Sequence, residues 1–463
     1  MLRITTPRNY SAERRYIATV LFEEFLGIPI TIQTEDRTNI AIAHDDEGLL
    51  TLPDTLFSIP ETAWLTASAL PVLPLEEWDI SRLPFPVVHV EPRLPVIYGE
   101  SPEHPDFLLV SENRIHLGLD ILGSAFFMLT RYEEAIHQER DALGRFSAHT
   151  SLAFQEGFLL RPIINEYLEL LWGCLHHLWP RLERKPRDFS IRLTHDVDWP
   201  LSDSGSPLRP LRLMKSAASD VFRGDYELAF RRARSLGSLD SDVYNTFDRI
   251  MDLSEAHGLS SAFYFIAGHT ADRIDGDYSL EHPWIRQLMR TVHARQHEIG
   301  LHPSFHTFKD PDQTRAEFQA LITVCEREGI EQQRWGGRQH YLRWEASQTW
   351  QNWHDAGLDY DSTLTFANHV GYRTGVCYEY PTFNLHTREP LALRERPLIV
   401  MDGSLFDYMR LGEAEALELI LKLKQQCAQF KGAFVLLWHN NSIVTRREIA
   451  FYEAMIPALA QGA

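Results

Sequence analysis

Cysteine is scarce and scattered in this chain. Cys174, Cys325, Cys377 and Cys427 are the only four, with no CxxC and no close pair. That spacing excludes a disulfide framework and a cysteine zinc site, and the four read as reduced thiols. No apolar run reaches the roughly 18 residues that a spanning helix requires, so no membrane span is expected. The first residues, Met1 to Pro7, lack the apolar core of a signal peptide, and the expectation is a cytoplasmic protein. Positive charge is in deficit: 45 Lys and Arg stand against 64 Asp and Glu, a formal net charge of -19. Non-specific binding to nucleic acid is excluded on that balance. Internal repeats and low-complexity tracts are missing too. The remaining composition, 44% hydrophobic and 24% charged over 463 residues, is that of a globular chain too long for one ordinary core.

Two halves differ in pattern. Ser11 is placed to cap a helix with Ile17, Val20, Leu21 and Phe25 on one face and Gly27 at its end. Strand-like runs follow at 28–32 and 39–43. The proline-rich stretch from Pro71 to Pro95 has little periodicity and reads as irregular. Asp120 is expected to cap a helix through Leu129, and Pro162 to open another carrying Ile164, Leu168, Leu171 and Cys174. The charged, proline-punctuated segment 180–186 marks a domain boundary, giving residues 1–185 and 186–463. Beyond it, strand candidates at 189–193, 261–266, 298–301, 398–401 and 433–438 alternate with helical stretches, one ending at Gly329. Alternation of this kind implies a parallel α/β sheet or barrel whose site lies at the C-terminal ends of the strands.

Three polar strings fall at such ends. The first is Thr194-His195-Asp196-Val197-Asp198, the second His302-Pro303-Ser304-Phe305-His306, the third Leu436-Leu437-Trp438-His439-Asn440. Asp196 and Asp198 lie on the same side of an extended segment, because side chains alternate along a strand. One can bind a metal while the other faces the attacking water. His302 and His306, four apart, can converge on one ion from a helical turn or tight loop. Two imidazoles and one carboxylate leave open coordination positions, which catalysis needs and a structural site does not. His439 is the candidate acid for the leaving group. The bland alternatives are two surface histidines, turn carboxylates and a buried structural histidine.

These strings resemble the motifs of the polysaccharide deacetylases of the NodB homology type, the family-four carbohydrate esterases and relatives. The resemblance covers residues 187 to 463. It implies a distorted (β/α) barrel preceded by a smaller α/β domain of unknown role. The first string is similar to the branch with one residue between the two acids, which implies Asp196 as base and Asp198 as metal ligand. His302 and His306 match the family's His-x-x-x-His pair, except that a proline follows the first histidine rather than the second. Arg338 best matches the arginine that holds the base, with Arg343 second, and Leu436 and His439 match the last motif. Asp361 and Asp402 are both open for the fourth motif. Arg343, Asp361 and Trp438 are the candidates for substrate contact.

What the resemblance implies is a metal-dependent hydrolase that removes an N-acyl group, acetyl first, from an amino sugar of a surface-polysaccharide precursor. The cofactor is one divalent ion, zinc ahead of cobalt, nickel or iron. A deformylase, another hydrolase of non-peptide C–N bonds or an inactive carbohydrate-binding member are the alternatives. One segment stands apart. Between Arg209 and Arg234, seven Arg and Lys face three acids in an otherwise acidic chain. It is either a solvated helical face or a cradle for phosphate, in which case the substrate is nucleotide- or lipid-linked.

Overall fold

A computed structural model describes all residues except 45–46, 203–207, 273 and 462–463. The amino-terminal part holds strands β1 (Leu2–Thr6), β2 (Ile30–Thr34), β3 (Asn39–His44), β4 (Glu47–Pro53), β5 (Glu76–Asp79), β6 (Arg93–Val96), β7 (Leu108–Ser111) and β8 (Arg114–Leu117). Six of them form a mixed sheet in the order β2-β1-β3-β4-β8-β7, and β5 and β6 pair as a separate antiparallel ribbon. That ribbon lies in the proline-rich stretch expected to be irregular. Prolines at its edge hide a strand from any reading of periodicity.

The helix spans Ser11–Ala18 and continues as a π-helical turn, Thr19–Leu26; Ser11 is its first residue rather than its cap, which is Tyr10 with no side-chain bond to the first turn. Gly27 ends it in the left-handed region (φ 72°), as its position suggested. Asp120 caps Ile121–Leu129 through the amide of Gly123, and Ile163–Leu178 begins directly after Pro162. Ile163–Leu178 packs on β4 and β8, and Ile121–Leu129 packs on Ile163–Leu178 and on Ser11–Ala18.

The carboxyl-terminal part is built on strands β9 (Ser190–Val197), β10 (Ser261–Phe265), β11 (Glu298–Leu301), β12 (Gly336–Gly337), β13 (Tyr360–Asp361), β14 (Tyr380–Asn384), β15 (Glu389–Glu395), β16 (Val400–Met401) and β17 (Ala433–Leu437). They form one sheet in the order β14-β15-β13-β12-β11-β10-β9-β17-β16. Every neighbouring pair is parallel except β14 with β15. Helices Phe247–Ala256, Pro283–Ala294, Pro311–Arg327, Gln348–Ala356 and Glu413–Gln429 fill the crossovers. The expected parallel α/β arrangement is therefore present. The expected barrel closure is not: β14 and β16 are the two edges, and no pairing joins them among the described residues. The antiparallel β14–β15 hairpin occupies one edge.

One hydrophobic cluster contains residues from both sides of the expected boundary, including Ile17, Phe126 and Ile164 with Trp350, Phe383 and Phe434. A buried ionic network crosses it as well. Glu134 accepts from Arg373 (2.5 and 2.9 Å) and from Arg131 (2.8 Å), and all three side chains are almost wholly buried. Burial opposes the Glu134 charge, but Arg373 and Arg131 outweigh it and lower its pKa from 4.5 to about 2. Glu134→Gln leaves two arginines short of a partner and should cost about 3–5 kcal/mol. A group with a depressed folded pKa stabilises above its unfolded pKa and ceases to do so as pH falls through the folded one. Denaturant midpoints of wild type and variant should thus converge between pH 4.5 and about 2. A constant gap over that window would disprove the ionic account.

Candidate active site

Five strands of the run β12-β11-β10-β9-β17-β16 deliver the site from their C-terminal ends. Asp196 belongs to β9 and Asp198 follows it; His302 follows β11, Arg338 and His340 follow β12, Asp402 follows β16 and His439 follows β17. Local sequence explains the close packing beneath them. A Cβ on Gly337 would overlap the Leu301 carbonyl, and one on Gly336 the Tyr360 ring. The two glycines let β12 press against its neighbours and set Arg338 under the site.

Asp198 is the centre of the group. Its Oδ1 lies 3.1 Å from His302 Nε2 and 3.5 Å from His340 Nε2. The ligand atoms of these three residues all fall within 4.8 Å of one another. Asp198 Oδ1 is buried and has no hydrogen-bond partner among the described residues. A buried carboxylate oxygen facing two imidazole nitrogens fits a divalent cation.

The tautomers agree with that use. His302 Nδ1 donates to the Arg338 carbonyl oxygen at 2.6 Å, and His340 Nδ1 donates to Asp275 Oδ1 at 2.9 Å. Each partner can only accept, so each ring turns an Nε2 lone pair towards Asp198. Asp275 is itself held by the amides of Thr270, Ala271 and Phe305. Burial works against its charge, but His340 and these amides lower its pKa to about 2. Asp198 is likewise held below the ordinary carboxylate range, the three facing histidines outweighing burial.

Asp196 sits beside this group, with Oδ2 3.8 Å from His302 Nε2 and Oδ1 accepting from Arg338 Nη1 at 2.8 Å. Arg338 is fully buried and is fixed through Nε to the Ser362 carbonyl (2.8 Å) and through Nη2 to the Ser362 hydroxyl (3.1 Å). On the opposite side, His439 Nε2 is 3.7 Å from Asp198 Oδ2. Its Nδ1 donates to Asp402 Oδ1 at 2.7 Å, and its amide donates to Asp402 Oδ2 at 3.0 Å. Burial disfavours the charged ring, but Asp402, then Asp198 and Asp196, override that and push His439 up to about 10. A carboxylate held by a buried arginine and a histidine held by a carboxylate thus flank the three-residue group.

The cavity above them has a volume of about 270 Å³. Asp196, Asp198, His302, His340 and His439 all line it, with Arg145, Tyr341 and Tyr408 at its wall. Arg145 is contributed by the amino-terminal part and donates to the Tyr408 hydroxyl (2.9 Å) and to Asp141 (2.8 Å).

The structure thus brings together Asp196, Asp198, His302, Arg338 and His439, but it does not bring in His306. The stretch 302–306 is a loop, not a helical turn, so the four-residue spacing does not superpose the two rings. His306 is exposed, its amide donating to Thr270 Oγ1 and its ring lying 3.4 Å from Arg343 Nη1. His340 takes the third place. His340 lies two residues beyond Arg338, and a histidine just past a strand end is the same signal that points to His302 and His439. Asp275, from the loop after β10, had no such signal.

None of the three substrate-contact candidates lines the cavity. Arg343 donates to the Phe305 carbonyl (2.6 Å) and stacks between Phe305 and Phe308. Asp361 is buried and accepts from the Thr363 amide (3.0 Å), and desolvation raises its pKa against that bond. Trp438 packs parallel to Phe451 and borders a neighbouring cavity.

A family model matches residues 2–180, and its description is a family of unknown function, DUF7033. No curated protein matches the chain. Among solved structures, one from Mycobacterium smegmatis, assigned as a polysaccharide deacetylase, is 17% identical with a TM-score of 0.38. The alignment covers 60% of this chain and 86% of that one. PuuE allantoinase is 12% identical, with a TM-score of 0.36 and coverage of 59% and 87%. Agd3, described as a carbohydrate deacetylase, is 9% identical, with a TM-score of 0.35 and coverage of 65% and 54%.

Proposed function

We propose that the protein is a metal-dependent hydrolase that removes an N-acyl group, acetyl in the first instance, from an amino sugar. The observation that carries this reading is the arrangement of Asp196–Arg338 and His439–Asp402 on either side of Asp198, His302 and His340. The sugar comes from the resemblance of the motif strings to NodB-type deacetylases, not from the geometry.

Asp198, His302 and His340 would hold the ion. When bound, a divalent metal acidifies water and polarises the scissile carbonyl. Asp196, its orientation fixed by Arg338, takes a proton from the attacking water as the oxygen bonds to the carbonyl carbon. The C–N bond then breaks as His439 gives its Nε2 proton to the departing amine, leaving a carboxylate and a free amino sugar. Asp402 keeps the other nitrogen of that ring occupied, so the proton is delivered from the face that meets the cavity. A cavity of about 270 Å³ lies at the small end of ligand sites and suits one sugar residue. Metal identity is set by supply as much as by this ligand set, with zinc first and cobalt, nickel or iron as further candidates.

The test is release of acetate from N-acetylated amino sugars offered free, nucleotide-linked and lipid-linked to metal-loaded protein. Acetate and the matching primary amine should appear together. Formate release, or opening of a cyclic imide without acetate, would replace the acyl group named here; inertness towards every amide would leave a binding role.

A further inference from the structure

The basic segment of the sequence folds as two consecutive helices, Arg209–Phe222 and Tyr226–Arg234, packed against each other. Each is amphipathic, but each turns a large part of its apolar surface outwards. On the first, Leu211, Met214, Ala218, Val221 and Phe222 follow helical spacing and are all exposed, while Leu213 alone of the large apolar residues faces inwards. On the second, Tyr226, Phe230 and Ala233 form the outer stripe and Leu228 and Ala229 the inner. Phe222 is 94% exposed, Tyr226 71%, Leu211 67% and Phe230 64%. An outward apolar face of this size marks a contact surface.

Charge decides what it contacts. The segment 209–234 carries seven Arg and Lys against three acids, in a chain of net charge -19. Lys215, Arg223 and Arg234 are exposed beside the apolar stripes. An apolar face rimmed by cations fits an anionic bilayer, and the acidic remainder of the chain would be repelled from the same surface, which orients the hairpin towards it. A second copy fits less well, because a two-fold contact would set two cationic hairpins against each other.

We propose that this hairpin docks the protein onto an anionic lipid surface. Its inner side is anchored to the site end of the sheet. Leu228 packs with Val243 and Val444, Arg231 Nη1 donates to the Val444 carbonyl (2.6 Å), and Arg209 pairs with Asp242 (2.9 Å). Val444 lies five residues beyond His439, in the loop leaving β17. Docking therefore brings the rim of the catalytic cavity close to the bilayer, where the amino sugar of a lipid-linked precursor would be presented. That last step rests on the proposed function; the docking does not.

Co-sedimentation of the full chain with phosphatidylcholine vesicles, with and without phosphatidylglycerol, tests it without any turnover. Wild type should pellet with the anionic vesicles, remain in solution with the neutral ones and be released by salt. Phe222→Ser with Phe230→Ser, and separately Arg223→Glu with Arg234→Glu, should each weaken binding on the order of tenfold or more. Circular dichroism establishes that the variants are folded, and Phe222→Ser alone serves if the pair is not. Wild type that ignores anionic vesicles, or variants that bind as wild type does, would overturn the proposal. So would a wild-type dimer in sedimentation that Phe222→Ser turns into monomers, since a second copy would then own the face. Vesicle binding without deacetylase activity would retain the docking and remove only the proposed reaction.

Discussion

Asp196→Asn should keep the bound ion and lose turnover by a factor on the order of 10²–10⁴. The substitution is nearly isosteric and can still accept from Arg338 Nη1, which approaches Oδ1 at 2.8 Å. Asp198, His302 and His340 are untouched, so metal content should not fall. What disappears is the oxygen that takes the proton. Arg338→Met should act differently from Asp196→Asn, because Arg338 is buried and tied to both oxygens of Ser362. It should lower stability as well as turnover, since Asp196 then loses the guanidinium that holds its Oδ1. If Asp196→Asn hydrolyses substrate within a few-fold of wild type, the base is elsewhere.

His439→Asn should also lose turnover by about 10²–10⁴, again with the ion retained. The companion variant Asp402→Asn separates a chemical role from a structural one. Asp402 holds the His439 proton through a 2.7 Å bond and is the chief influence raising its pKa. Removing that charge lowers the pKa, so the alkaline limb of the rate profile should move to lower pH. The sign follows from the role: an acid is active while protonated, and a lower pKa surrenders the proton earlier. A structural histidine would reduce the rate without moving the limb.

Much of the site was legible because strand ends are. Apolar runs of four to six residues ending in polar strings placed Asp196, Asp198, His302 and His439 at one end of a parallel sheet, where the structure has them. Arg338 was legible only through the resemblance. Its strand is two glycines long, too short for any pattern, and those glycines are there to allow close approach rather than to signal a strand. The same brevity hid His340. His306 was favoured because a spacing of four converges on a helix, and the chain there is not helical. The barrel is an implication of the resemblance alone; alternation reports parallel neighbours, in sheet or barrel, and not what the two edges do. In the amino-terminal part, caps at Asp120 and Gly27 were readable from local chemistry. Pairings such as β4 with β8 join residues more than sixty positions apart, and a single sequence carries no signal for them.

The most direct test is metal content by mass spectrometry after identical loading of wild type, His340→Ala and His306→Ala. Wild type and His306→Ala should each hold about one equivalent, and His340→Ala should hold far less, because His340, unlike His306, places its Nε2 beside Asp198 and His302. Loss of metal from His306→Ala with retention in His340→Ala would contradict the assignment and restore the ligand set suggested by spacing.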